Sequence, residues 1–396
     1  MQKTETITTT RLPKWVLALL PLVLLIGLVA IFLAVNPLAV FTDAFPPLEE
    51  LTIQRVRFPA AGQIELSVIN GGPDPVTIAQ VLVDDAYWQF AIEPTQTLDR
   101  LETATVALTY PWVKDEPLPI TLITSTGITF GTEVEVAVES PPADSGTLLT
   151  YGLLGIYVGI IPVALGMLWY PFLRHIDRKW VNAILALTVG LLVFLFVDTL
   201  LEALEIAAEV PGVFQGVPLV IFGTLLTLGV LMAIGQRRGQ RTPLGIATLI
   251  ALGIGLHNFG EGLAIGAAFA AGAAALGSFL VIGFTLHNIT EGVGIVAPLT
   301  KEKERPKLHV FVLLALLAGT PAILGTWIGG LAFSPFLAAL FLSIGAGAIL
   351  QVIWEVGKLL VNDARRSGQP AVSWLNFAGL TAGILVMYLT AFLVKF

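Results

Sequence analysis

The chain has 396 residues, 56% hydrophobic and only 12% charged, with a mean hydropathy of +0.85 and a net charge of -7. Soluble globular domains carry about a quarter charged residues, so this composition describes a polytopic membrane protein. The absence of cysteine excludes disulfides and thiolate metal sites, and no basic run suits nucleic acid.

Residues 1–12 are polar and threonine-rich and are expected to form a cytoplasmic tail. Trp15–Val35 is an unbroken apolar run. A secretory signal has a hydrophobic region of about 7–15 residues and a spanning helix about 20, so residues 13–36 read as an uncleaved transmembrane anchor, with cleavage after it as the alternative. Residues 45–140 change character. Alternating segments at Leu51–Phe58, Gln63–Ile69, Val76–Val83, Trp88–Ile92, Thr103–Thr109, Ile120–Thr124 and Ile128–Val138 are separated by turn chemistry such as Asn70-Gly71-Gly72-Pro73. Period-two alternation punctuated in this way predicts a small all-β, immunoglobulin-like sandwich.

Residues 147–396 carry eight further apolar runs, beginning near Leu148, Trp180, Val217, Leu244, Leu276, Leu308, Pro335 and Trp374. With a cytoplasmic N-terminus, Arg174, Arg178 and Lys179 fall inside. So do Arg237, Arg238 and Arg241, then Lys301, Lys303, Arg305 and Lys307, then Lys358, Arg365 and Arg366. The positive-inside rule therefore places the β-domain and the C-terminus outside the cytoplasm, in a plasma-membrane protein with the lipid bilayer as its surroundings.

The fourth and fifth helices of this eight-helix core carry near-copies of one motif, Leu256–Gly262 (L-H-N-F-G-E-G) and Leu286–Gly292 (L-H-N-I-T-E-G). A helix stacks His257 on Glu261 and His287 on Glu291, each pair four residues apart on one face, with Asn258 and Asn288 one step round. A lone polar group at membrane depth is often interhelical hydrogen-bond glue. Two imidazoles and two carboxylates repeated on antiparallel neighbours instead suit zinc or a neighbouring divalent transition metal. Further acids sit at Asp198 and Glu355, each eight residues after a glycine (Gly190 and Gly347), on helices that run in opposite directions. That relation suggests an inverted repeat, with both acids, Glu202 beyond Asp198, and Gln351 one turn before Glu355 along an ion path. The other reading of Glu355 is an ion pair with Lys358.

The paired motifs resemble the fourth- and fifth-helix signatures of the ZIP (Zrt/Irt-like) family of divalent-metal transporters, in a prokaryotic form with an added anchor helix and an extracytoplasmic β-domain. The resemblance covers about Leu148–Phe396. It implies a 3+2+3 inverted repeat and a central metal site of His257, Asn258, Glu261, His287, Asn288 and Glu291. It also implies that the metal, most plausibly zinc, is a transported substrate moving into the cytoplasm, with no organic cofactor and no catalysis. Gly260 and Thr290 stand where the family usually has proline, so a kink would have to come from glycine or the threonine hydroxyl. Ala322, in Ala318–Gly325 (A-G-T-P-A-I-L-G), stands where many members carry a glutamate bridging a second metal, so one site is expected. An intramembrane metal-dependent hydrolase and a metal sensor or receptor using the β-domain are the alternatives. No H-E-x-x-H is present, and the acids form a trail, not one cluster. The β-domain could gather substrate or shape a homodimer.

Overall fold

The computed structural model describes residues 14–35, 47–236, 242–302, 304–367, 370 and 372–394. The expected tail over 1–12, the basic residues Arg237, Arg238, Arg241 and Lys303, and Lys395 lie outside them.

The first helix, α1 (Lys14–Val35), has 22 residues, belongs to a unit separate from the rest, and exposes leucine, isoleucine and phenylalanine along its length.

Nine strands follow: β1 (Leu51–Arg57), β2 (Gln63–Asn70), β3 (Val76–Val83), β4 (Ala86–Trp88), β5 (Phe90–Glu93), β6 (Thr97–Leu98), β7 (Thr103–Thr109), β8 (Leu118–Thr124) and β9 (Thr129–Val134). They form two antiparallel sheets in the orders β1-β2-β7-β5 and β4-β3-β8-β9, with β6 pairing β3. Lettered in chain order without β6, this is the ABED against CFG arrangement of an immunoglobulin-like sandwich, with one added edge strand beside C. Alternate residues meet between the sheets: Ala104, Val106 and Leu108 of β7 face Leu118, Ile120 and Leu122 of β8 across one core. The single strand expected over Trp88–Ile92 is two, because the chain passes from one sheet to the other at Gln89.

The eight remaining long helices are each long and apolar enough to cross a membrane. They are α2 (Ser145–His175), α3 (Arg178–Ala207), α4 (Gly216–Gln236), α5 (Pro243–Ala270), α6 (Ala274–Val296), α7 (Leu308–Ala332), α8 (Pro335–Ser367) and α9 (Trp374–Val394). Asp144 caps α2, its carboxylate accepting from Thr147 N at 2.7 Å. α8 runs past the end of its apolar run near Leu359, because Asp363, Arg365 and Arg366 continue the helix in polar residues that hydropathy does not register.

Small residues bring the helix backbones together, as in many membrane bundles. A Cβ at Gly155 would stand 2.5 Å from Ile323 Cα, joining α2 to α7. A Cβ at Gly190 of α3 would collide with Leu380 O of α9, and one at Gly347 of α8 with Thr224 O of α4. The two glycines that precede Asp198 and Glu355 thus occupy corresponding seams, α3 against α9 and α8 against α4.

The β-domain meets loops and helix ends that alternation puts on one side. Arg55 donates to Leu331 O (2.6 Å) and Gly330 O (3.1 Å) at the end of α7. Gly212 N, between α3 and α4, donates to the Glu50 carboxylate. Gly272, between α5 and α6, lies under Val138 at φ +75°, where a side chain would be both strained and obstructed.

Candidate metal centre

α5 and α6 run as unbroken helices through both motifs, so their four-residue spacings become stacked side chains. All six motif residues are buried, and the asparagines are completely so. Glu261 is the hub. Its Oε1 accepts from His257 Nε2 at 3.1 Å and from His287 Nε2, and its Oε2 accepts from Asn288 Nδ2 at 3.0 Å. Glu291 is the opposite case: it is 2% exposed, and neither oxygen has a hydrogen-bond partner among the described residues. One ligand atom each from His257, His287 and Glu291 lies within 4.8 Å of the others. A tetrahedral zinc site with bonds of about 2.1 Å holds its ligand atoms about 3.4 Å apart, so this triangle is wider than that by at most about 1.4 Å.

The asparagines are fixed by carbonyls on the flanking helices. Asn258 Nδ2 donates to Ala318 O of α7 at 3.0 Å, and Asn288 Nδ2 donates to Val158 O of α2 at 3.1 Å. A carbonyl can only accept, so these bonds define each amide's orientation and leave Oδ1 without a partner among the described residues. Val158 lies in a π-helical turn, Ile156–Ile160, and Pro162 has no N–H to give its carbonyl. Pro321 likewise interrupts α7 beside Ala318.

These prolines belong to a repeat that the motif alone does not reveal: Pro162-Val163-Ala164-Leu165-Gly166 in α2 and Pro321-Ala322-Ile323-Leu324-Gly325 in α7. A Cβ at Gly292 would collide with Val163 O, and one at Gly262 with Ala322 O. A Cβ at Gly166 would collide with Ile289 O, and one at Gly325 with Phe259 O. Each glycine following a motif glutamate therefore meets the carbonyl after a proline, and α2 with α6 makes the same contacts as α7 with α5. The shared P-x-x-L-G pattern is the signal that would have found this frame. Glycine here provides close approach, and Thr290, in the proline position, donates to His287 O at 2.6 Å.

Ala322 is fully buried, and a Cβ at Gly159 would lie 2.8 Å from its own Cβ. Backbone fills the space a longer acid would need. Gln351 is fully buried on α8, packed beside Gly253 one turn from His257. Glu355 is buried one turn further along, 3.8 Å from Lys358 Nζ, while Lys358 also covers the Trp354 ring. Asp198 and Glu202 lie on the exposed side of α3.

Residues 232–391 match the family model described as ZIP Zinc transporter. Among curated proteins none matches the chain. Among solved structures, the archaellum periplasmic stator protein FlaG from Sulfolobus acidocaldarius aligns at 11% identity and a TM-score of 0.20, over 22% of this chain and 99% of that one. That match, over a segment containing both His-Asn-x-x-Glu-Gly motifs, supports membership of the ZIP family, whose members are transporters of divalent metal ions and not enzymes.

Proposed function

We propose that this protein carries zinc across the plasma membrane into the cytoplasm, with His257, His287 and Glu291 as the primary ligands. The supporting observation is Glu291. A buried carboxylate with no partner among the described residues is costly unless a cation joins it, and here two imidazoles adjoin it. Two nitrogens and a carboxylate oxygen, with Asn258 or Asn288 Oδ1 within the same frame, form a borderline set that suits zinc better than magnesium or calcium. Glu261 orients both imidazoles and neutralises charge. Asp198 with Glu202, and Glu355 on the other side, serve as relay carboxylates, the β-domain and C-terminus lie outside, and α1 anchors the chain.

The test is Zn²⁺ flux into proteoliposomes. His257→Ala and Glu291→Ala are expected to lower flux by at least about a hundredfold, because each removes a direct ligand. Wild-type rates in both folded variants would overturn the site. Equal flux of Zn²⁺, Mn²⁺ and Cd²⁺ would overturn the zinc preference alone.

A further inference from the structure

α2 and α7 pack as antiparallel neighbours, and the size of the residues between them changes along the seam. Up to Ile160 of α2, glycine brings the backbones together. A Cβ at Gly159 would collide with Gly319 O, and one at Gly319 would stand 2.5 Å from Ile160 Cα. Beyond Ile160 the meeting residues are large, and the Tyr170 and Phe311 rings lie 5.1 Å apart, centroid to centroid. The helices therefore part, and a groove of about 390 Å³ opens between them.

Its walls are two stripes at four-residue spacing, Ile160, Ala164 and Leu168 on α2 and Leu308, Val312 and Leu316 on α7. A helix turns residues so spaced to one side, and each stripe extends about 12 Å along its axis. Leu168, Leu308, Val312 and Leu316 are exposed, so the groove is open along its length. Tyr170 is the single polar side chain in the lining, and its hydroxyl accepts from Arg174 Nη1 at 3.0 Å. Such a lining offers a polar ligand almost nothing to bond, whereas a hydrocarbon chain fits it. Both helices are long and apolar enough to cross a membrane, so the bilayer supplies that chain.

One end of the groove is cationic. Arg174 lies one turn beyond Tyr170, and the exposed Lys307 directly precedes Leu308. Arg305 is adjoined by Glu304, which leaves Arg174 and Lys307 as the pair of charges at this mouth. Basic pockets between spanning helices complement the phosphate of an anionic headgroup. We propose that the α2–α7 groove holds one anionic phospholipid, an acyl chain along the two stripes and the headgroup at Arg174 and Lys307. The site needs only that these helices span a bilayer, and it stands apart from the metal cluster.

Native mass spectrometry of the full-length protein in detergent, titrated with phosphatidylglycerol or phosphatidylcholine of the same chains, tests this. Wild type is expected to retain one phosphatidylglycerol, at least about tenfold more tightly than phosphatidylcholine. Lys307→Gln should weaken phosphatidylglycerol about fivefold, and Arg174→Gln with Lys307→Gln about thirtyfold, leaving phosphatidylcholine unchanged. Val312→Trp, which sets an indole into the groove from its exposed rim, should remove the retained lipid. Equal affinity of wild type for the two lipids overturns the proposal, as does undiminished phosphatidylglycerol binding in Val312→Trp. If Val312→Trp fails to fold, unchanged phosphatidylglycerol affinity in Lys307→Gln, a surface change, overturns it instead. A wild-type dimer that retains no lipid and that Val312→Trp splits would give the groove to a second copy of the chain, and overturn it too.

Discussion

Glu261 and Glu291 have the same side chain, equivalent motif positions and opposite surroundings. Glu261 already accepts three hydrogen bonds, whereas Glu291 accepts none from the described residues. On the proposed function, Glu291 is therefore the oxygen that binds, and Glu261 is the group that aims the imidazoles. Glu291→Gln should weaken Zn²⁺ binding more than about a hundredfold, whereas Glu261→Gln should cost about 10–100-fold, the usual range for a partner that orients a ligand. Equilibrium dialysis of both variants checks the order, and the reverse order would exchange their roles. Glu291→Gln should also raise the metal-free melting temperature, because it removes a buried carboxylate without compensation, while abolishing stabilisation by Zn²⁺. The burial of the six motif residues was legible because His-Asn-x-x-Glu-Gly occurs twice in apolar runs. The division of labour was not, since spacing cannot say which carboxylate both histidines turn toward.

At the level of elements, prolines shape the site from outside the helices that bear the motif. An alanine at 162 would restore an N–H able to bond Val158 O, in competition with Asn288 Nδ2. Pro162→Ala should therefore leave the fold intact, release Asn288 and weaken Zn²⁺ binding by about tenfold, as loss of an orienting bond does. Dialysis measures the affinity, and unchanged binding would show that Val158 O does not hold Asn288 in place. The glycines act by close approach. Gly292→Ala would drive a methyl into Val163 O and should cost about 1–3 kcal/mol of stability, read as a lower melting temperature. The frame escaped notice in the sequence because a proline in an apolar run reads as a local kink. That Pro162 and Pro321 answer one another appears only when α2 is set against α6 and α7 against α5. Hydropathy, by contrast, exposed all eight spans, since apolar length is a property of each segment alone.

At the scale of the molecule, the polar ties between the β-domain and the helical core include Arg55 on the end of α7 and Glu50 on Gly212. The alternation in β2, β3, β7 and β8 made the sandwich legible, since strands with one buried face must repeat every two residues. Its attachment was hidden, because Arg55 on a strand looks like any solvated charge. In the structure its guanidinium caps the last carbonyls of α7, where the helix leaves acceptors unsatisfied and the macrodipole is negative. A hydrogen bond from a charged donor contributes about 1.5–3 kcal/mol, so Arg55→Met should raise the undocked fraction of the domain by roughly tenfold or more. Hydrogen exchange should then quicken around Gly330–Ala332 and at the Glu50–Gly212 contact, which depends on the same docking. Zn²⁺ affinity at the buried cluster should stay at the wild-type value, because Arg55 touches none of its residues. Unchanged exchange would mean that Glu50 and the packing of Val138 over Gly272 hold the domain without Arg55. A lost affinity would mean instead that the end of α7 transmits to Ala318, and through it to Asn258.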